Sequence, residues 1–509
     1  MTSRPNIVVI MADQLAPQFT ATYGHPIVQT PHLDELAARG MRFDAAYTNS
    51  PLCAPARFAF MAGQLVTRIK AYDNAAEFPA SVPTFAHYLR QAGYRTCLTG
   101  KMHFVGPDQL HGFEERLTTD VYPSDHAWTP NWDEPDERID KWYHNMDSVK
   151  EAGTAATTFQ LDFDEEVAFT AKRRIFEYAK YRDTPFAMVV SFIHPHDPYV
   201  ARPEFWQRYD AETIDLPTSP VADDPHSRRL AAAIEAADVS VSDEQIANAR
   251  RAYYANTTYI DAKIGEIVQT LHEAELVDDT IVVFTSDHGD LLGERGLWYK
   301  MSTLDHSMRI PLVMAGPGIR HGSSSEPCSL VDILPTMLDW AAPGAWPTLG
   351  AELDGRSLAA AASGADADPE ASALGEFCAE GSAHPIFMIR RGRWKYVQCD
   401  IDPPMLFDMQ EDPGELTNRA ADPAYATIGA SFAAEVGERW NSAAIRTDVL
   451  ASQRMRRAVH AAMSVGRRVD WDYQPQRDAS EEYVRNHMDW TVAAATTRFP
   501  PIEGAAVRS

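Results

Sequence analysis

Short apolar runs recur along the chain, and each closes on polar residues. NIVVIMA (6–12), YRTCLTG (94–100), FAMVVSF (186–192), TIVVFTS (within 279–286) and PLVMAG (311–316) are rich in branched and aromatic residues and predict strands. Their near-continuous apolarity is that of strands buried on both faces. Between them the apolar spacing turns helical. TPHLDELAARG places Thr30 as N-cap, Pro31 at the first helical position and Gly40 just past the end. TFAHYLRQAG closes on Gly93 in the same way, and 243–275 is a longer amphipathic stretch. Strands alternating with helices predict an α/β fold with a large, mostly parallel sheet flanked by helices.

The residues just past the strands suggest a site. Asp13 and Gln14 come after the first run, Lys101 and His103 after the second, His194, His196 and Asp197 after the third, Asp287 and His288 after the fourth. Ligands of open α/β sheets bind beyond the carboxyl ends of the strands, so these groups are predicted to converge on one pocket. Any one of them alone reads as a solvated loop residue. Further on, 357–375 has the small residues, Gly, Asp and Pro of an exposed connection. Beyond it HPIFMIRRGRWKYVQCD and PMLFDM predict antiparallel strands of a smaller α+β domain. The expected division is a catalytic domain over 1–370, the smaller domain over 371–445 and a tail over 446–509.

Composition narrows the classes of function. The 509 residues are 45% apolar and 23% charged, enough for one large core and a smaller one. A net charge of −26 would repel a phosphate polymer and argues against nucleic acid as a partner. No run approaches the ~18 apolar residues of a membrane span. The N-terminal run lacks the longer core and cleavage site of a secretory leader. Five widely scattered cysteines show neither a disulfide framework nor a zinc spacing, and the expected location is the reducing cytoplasm.

One cysteine calls for its own account. Cys53 lies in NSPLCAPARFAFMAG (49–63), between two prolines at the mouth of a predicted helix. A free cysteine is most often a small buried hydrophobe. At a helix N-terminus it is also a candidate thiolate nucleophile. A third reading comes from resemblance: Cys53-Ala54-Pro55-Ala56-Arg57 resembles the Cys-x-Pro-x-Arg signature of the sulfatase family, within the alkaline-phosphatase-like superfamily, where the cysteine is oxidised to formylglycine. RPNIVVIMADQ, GKMHF, FIHPHDPY, TSDHGDLLGERGLWYK and LFDMQEDPGEL extend the resemblance over nearly the whole chain. GKMHFVGPDQLHGFEERLTTDVYPSDHAWTPNW, AEGSAHP and VRNHMDW are similar to the choline-sulfatase branch of that family.

The resemblance implies a hydrolase of sulfate esters with one divalent metal ion held by Asp13, Gln14, Asp287, His288 and the modified Cys53. Calcium is the family's ion; manganese, which tolerates imidazole, is the alternative closest behind, because Gln14 stands where many sulfatases carry a second Asp and His288 adds a nitrogen, and magnesium is a further alternative. Ala56 stands where many members have Ser. Arg57 would hold the modified side chain, Lys101 and Lys300 would clamp the sulfate, His196 would act as acid on the leaving oxygen and His103 as base toward the diol. For the trimethylammonium group the candidates are Trp128, His144, Asn145, Glu380 and Asp489, since a quaternary ammonium is recognised by aromatic faces and carboxylates. A formylglycine-generating enzyme is implied as maturation partner, and a homo-oligomer, dimer or tetramer, whose tail helps close an active site. Two other functions stay open: a phosphonate monoester or phosphodiester hydrolase of the same superfamily, and a non-catalytic metal-binding relative.

Overall fold

The computed structural model describes residues 4–466. Eight strands form the main sheet: β1 (Asn6–Asp13), β2 (Met41–Phe43), β3 (Arg95–Gly100), β4 (Glu115–Arg116), β5 (Phe186–Pro195), β6 (Thr280–Ser286), β7 (Leu312–Ala315) and β8 (Gly322–Ser324). Their spatial order is β8-β2-β7-β6-β1-β5-β3-β4. β1 lies in the middle, parallel to β5 on one side and β6 on the other, with Val8 opposite both Met188 and Val282. β7 runs antiparallel to its neighbours β6 and β2, so the sheet is mixed but mostly parallel.

Alternation along β1 splits the interior in two. Ile7, Val9 and Met11 face a core completed by α2 (Cys53–Ala62), α3 (Phe85–Gln91) and α6 (Ile333–Ala341). Val8, Ile10 and Ala12 face a second core built from α1 (Pro31–Ala38), α4 (Phe159–Tyr178) and α5 (Asp243–Glu273). With helices on both faces, the polar groups at the strand ends open in one direction only.

Helix starts differ in part from expectation. The hydroxyl of Ser242 accepts from Gln245 N and the Gln245 side chain accepts from Ser242 N, a reciprocal cap that starts α5 locally. At α1 the Thr30 hydroxyl does not cap the helix; it accepts from Ala21 N, while Asp261 of α5 receives the first-turn N–H groups of His32 and Leu33 at 3.1 and 2.8 Å. A carboxylate from a packed neighbour has replaced the local cap. Gly93 has the positive φ, +83°, of a helix stop. Gly40 is a glycine for a different reason: a Cβ there would lie 2.1 Å from the Met314 carbonyl oxygen.

A second, antiparallel sheet holds β9 (Ser372–Phe377), β10 (Ile386–Arg391), β11 (Trp394–Cys399) and β12 (Asp402–Asp408) in sequence order. Ala373, Phe377, Met388 and Val397 on one face join the core beneath the main sheet. Phe387, Ile389, Tyr396 and Leu406 on the other pack against Phe432 and Val436 of α7 (Ala426–Arg439). Lys395, fully buried, ties this sheet to the segment ahead of β7 through Asp305 and to the loop after β12 through Glu415, each at 2.7 Å. The last described helix, α8 (Ser442–Met463), buries Val449, Gln453 and Arg456. Among the described residues no helix is long and apolar enough to cross a membrane.

Candidate active site

Arg57 is the centre of the convergence at the strand ends. It sits one turn into α2 with no exposed surface. Its Nε donates to Asp287 Oδ2 at 2.8 Å and one terminal nitrogen to Asp13 Oδ2 at 3.2 Å. The other terminal nitrogen donates to the Lys101 carbonyl at 2.6 Å and Ser191 Oγ at 2.8 Å. The guanidinium thus binds the ends of β1, β3, β5 and β6 at once. Lys101 also bonds Asp13, and its ammonium lies 4.1 Å from the centre of the Tyr122 ring. Burial opposes ionisation of Asp13, but Lys101, His196 and Arg57 outweigh it and hold the carboxyl well below its ordinary range.

Cys53 is the first residue of α2. Its sulfur lies 3.1 Å from His288 Nε2 and 3.8 Å from Asp13 Oδ1. The ligand atoms of Asp13, Cys53, Asp287 and His288 all lie within 4.8 Å of one another, every one of them buried. His288 Nδ1 bonds the Gly289 carbonyl at 3.0 Å, which leaves the lone pair on Nε2 facing the cluster. Burial keeps that imidazole neutral, the form that ligates a metal. Two carboxylates and a neutral imidazole aimed at one point fit a divalent cation. Burial, aided by Asp13, pushes the thiol up to about 12, so an unmodified Cys53 is not a thiolate here.

Gln14 adopts a left-handed conformation, φ 65°, and turns its amide into a network. Its Nε2 donates to Asp290 Oδ2 at 2.7 Å and Asp197 Oδ1 at 3.3 Å, while Oε1 accepts from Lys300 Nζ at 2.7 Å. Lys300 also reaches His196 Nε2 at 2.7 Å and His144 Nε2 at 3.3 Å. His196 Nδ1 bonds the Asp197 carbonyl at 2.6 Å, so its Nε2 is the acceptor and Lys300 the donor. Burial, then Lys300, holds His196 well below its ordinary pKa. His103 is held by Asp120, whose Oδ2 accepts its backbone N–H at 2.9 Å. Burial, then Lys101, lowers His103 to about 3, and neither ring nitrogen has a partner among the described residues.

Above this floor opens a cavity of about 300 Å3 with Cys53, His196 and Lys300 at its base and Trp128, Tyr143 and Glu380 in its wall. His144 and Asn145 line it too. Trp128 stands edge-on to His103 and Tyr122, with ring centres 5.7 and 5.0 Å away. Glu380 is 5% exposed, its Oε2 has no partner among the described residues, and burial pushes the carboxyl up to about 7. Trp132 belongs to a core cluster and does not line the cavity: its indole N–H donates to the Ala379 carbonyl at 3.0 Å.

All the site residues anticipated within 4–466 gather here; Asp489 lies outside the described residues. His194 does not join them, because its Nδ1 is engaged by Asp164 of α4 at 2.7 Å. Asn74 and Asp290 are site residues that sequence reasoning missed. Asn74 Oδ1 accepts from Ala54 N at 3.0 Å at the start of α2, and nothing in its surroundings in the sequence points to that role. Asp290 lies in TSDHGD, three residues after Asp287, so the motif contained it.

The fold, a mostly parallel sheet with helices on both faces, is one that solved structures share. The phosphonate monoester hydrolase of Agrobacterium radiobacter superposes with a TM-score of 0.67, covering 88% of this chain and 96% of that one at 24% identity. The chain belongs to the sulfatase family, whose family model matches residues 5–343. Two further models match, the N-sulphoglucosamine sulphohydrolase C-terminal region at 293–441 and the choline sulfatase C-terminal region at 447–499. The choline-sulfatase of Rhizobium meliloti (strain 1021) is 46% identical over 510 residues, 98% of this chain and 99% of that protein. Arylsulfatase K of Danio rerio is 30% identical over 440 residues, 82% of this chain and 80% of its own.

Proposed function

We propose that the chain hydrolyses choline sulfate to choline and sulfate, with Cys53 matured to formylglycine by a formylglycine-generating enzyme. The carrying observation is the cavity that joins Cys53 and Lys300 at its base to Trp128 and Glu380 in its wall. The near full-length similarity to a choline-sulfatase supports the substrate. All five cysteines are buried and free, which suits the cytoplasm. A homo-oligomer and the chain division at 370 and 445 remain part of this reading.

The aldehyde hydrate at position 53 carries two hydroxyls. One hydroxyl gives up its proton to solvent and its oxygen attacks sulfur; the sulfur–choline oxygen bond breaks, and its electron pair leaves with choline. The Lys300–His196 pair, bonded at 2.7 Å, supplies the proton to that oxygen. His103, neutral and with no ring partner among the described residues, takes the proton of the second hydroxyl; the carbonyl re-forms, the bond from its carbon to the sulfate oxygen breaks and sulfate departs, and His103 and the Lys300–His196 pair then exchange protons with solvent. Water then rehydrates the aldehyde. Arg57 and Lys101 hold Asp13 and Asp287 in place and supply positive charge behind the reacting group. A divalent ion held by Asp13, Gln14, Asp287 and His288 would supply Lewis-acid character toward a sulfate oxygen.

Steady-state rates on choline sulfate, an aryl sulfate and a phenyl phosphonate ester test the reading. The second reading, a phosphonate ester hydrolase, rests on the Asp-Gln and Asp-His pairs and on the fold; a clear preference for the phosphonate would replace the choline assignment. Protein that turns over none of the three would point to the non-catalytic relative.

Glu380 gives a pH signature. Below about 7 its carboxyl is neutral and offers choline no countercharge; above 7 it ionises and attracts the ammonium. The ratio of kcat/KM for choline sulfate to that for a neutral alkyl sulfate is therefore expected to rise about tenfold as pH climbs through 7. Glu380→Gln should flatten that ratio. An unchanged slope in the variant would remove Glu380 from the cation pocket.

A further inference from the structure

The helix that carries Cys53 has a deficient start. Its N-cap, Leu52, has no side-chain acceptor, and Pro55 has no N–H, so the backbone N–H groups of Cys53 and Ala54 are the ones left without a local partner. Ala54 N finds one in Asn74 Oδ1, 20 residues away and in the wall of the cavity. Asn74 in turn lies beside Asp73, a carboxylate with no exposed surface. Asp73 is gripped by both terminal nitrogens of Arg456 from α8, at 2.7 and 2.6 Å. The same guanidinium donates to Thr129 Oγ1 at 3.2 Å, next to Trp128. One turn earlier on α8, Gln453 accepts from Trp132 N at 2.8 Å.

We infer that Arg456 is a positioning residue for the reaction, clamping α8 onto the two segments that set the nucleophile's helix start and the wall beside Trp128. A bidentate pair buried this deeply costs desolvation of both ions and is kept for the geometry it fixes rather than for net stability. A planar fork holds two segments in register; an ammonium on a flexible stem would not. This role rests on the proposed reaction only for its kinetic readout.

The test compares the full chain with Arg456→Met and Arg456→Lys by amide hydrogen exchange and by kcat and KM on whichever sulfate ester the parent turns over. The expected result for both variants is faster exchange in the peptide covering 53–62, with no change in the peptide covering 394–408, and a fall in kcat of about tenfold or more. Arg456→Lys keeps the charge and guards against the case in which the methionine variant fails to fold. Unchanged exchange at 53–62 together with kcat within about twofold of the parent overturns the inference, as does faster exchange throughout the chain in Arg456→Lys, which would make the pair a general stability contact. A parent inactive on choline sulfate but active on another sulfate ester would defeat the substrate assignment and leave this test intact. With no active ester, the exchange at 53–62 alone decides.

Discussion

Cys53→Ala is expected to lower kcat on choline sulfate by on the order of 10⁴-fold or more, with the protein still folded. The side chain is 1% exposed and small, so its loss costs roughly 1 kcal/mol of packing, far less than the fold's stability. The chemistry has no substitute for it. His288 and Asp13, the groups nearest the sulfur, would on the proposed reading hold the divalent ion, and His103 and His196 would serve proton transfers to and from oxygens that no longer form. Steady-state rates alongside a thermal melt separate the two effects. A variant that melts with the parent and keeps its turnover would leave Cys53 as a packing residue.

Arg57→Met is the second large effect, and it falls on stability as well as rate. Removing the guanidinium leaves Asp13 and Asp287, both fully buried, without the cation between them, and strips Ser191 Oγ and the Lys101 carbonyl of their donor. Breaking a buried pair from one side costs about 3–5 kcal/mol. Urea unfolding should show a loss of that order, smaller when a divalent ion is added, because the two carboxylates then gain another counterion. Activity should fall on the order of 10²-fold or more even with the ion present, since a metal cannot replace the link from α2 to β3 and β5. Equal stability of variant and parent in the absence of metal would mean that the guanidinium is not what holds the two carboxyl groups together in the native state.

These expectations depend on features that differ in how far they could be read from the chain. The central strands were legible because burial on both faces demands runs such as NIVVIMA and FAMVVSF, and the strand ends were legible because those runs stop at ionisable residues. The short strands β2, β4 and β8, two or three residues long, carry no such period and take their shape from their neighbours. The same division holds within the site. Arg57, Asp287, His288 and Lys300 stand in motifs, whereas Asn74 and Arg456 act through partners brought near by folding. Helix starts make the point plainly: Ser242 caps α5 from its own turn, but α1 is capped by Asp261 and α2 by Asn74. A cap supplied by a packed neighbour leaves no local pattern to find. Gln14 is a third case, since nothing in its own propensity marks its left-handed backbone, and the Asp290 and Lys300 partners of its amide come from far along the chain.

The most direct measurement is the mass of the peptide containing residue 53, taken from protein purified from its native host and compared with the turnover of the same sample. Formylglycine at that position, in a fraction that tracks activity across preparations, is the expected result. Full turnover from protein whose residue 53 remains a thiol would contradict it.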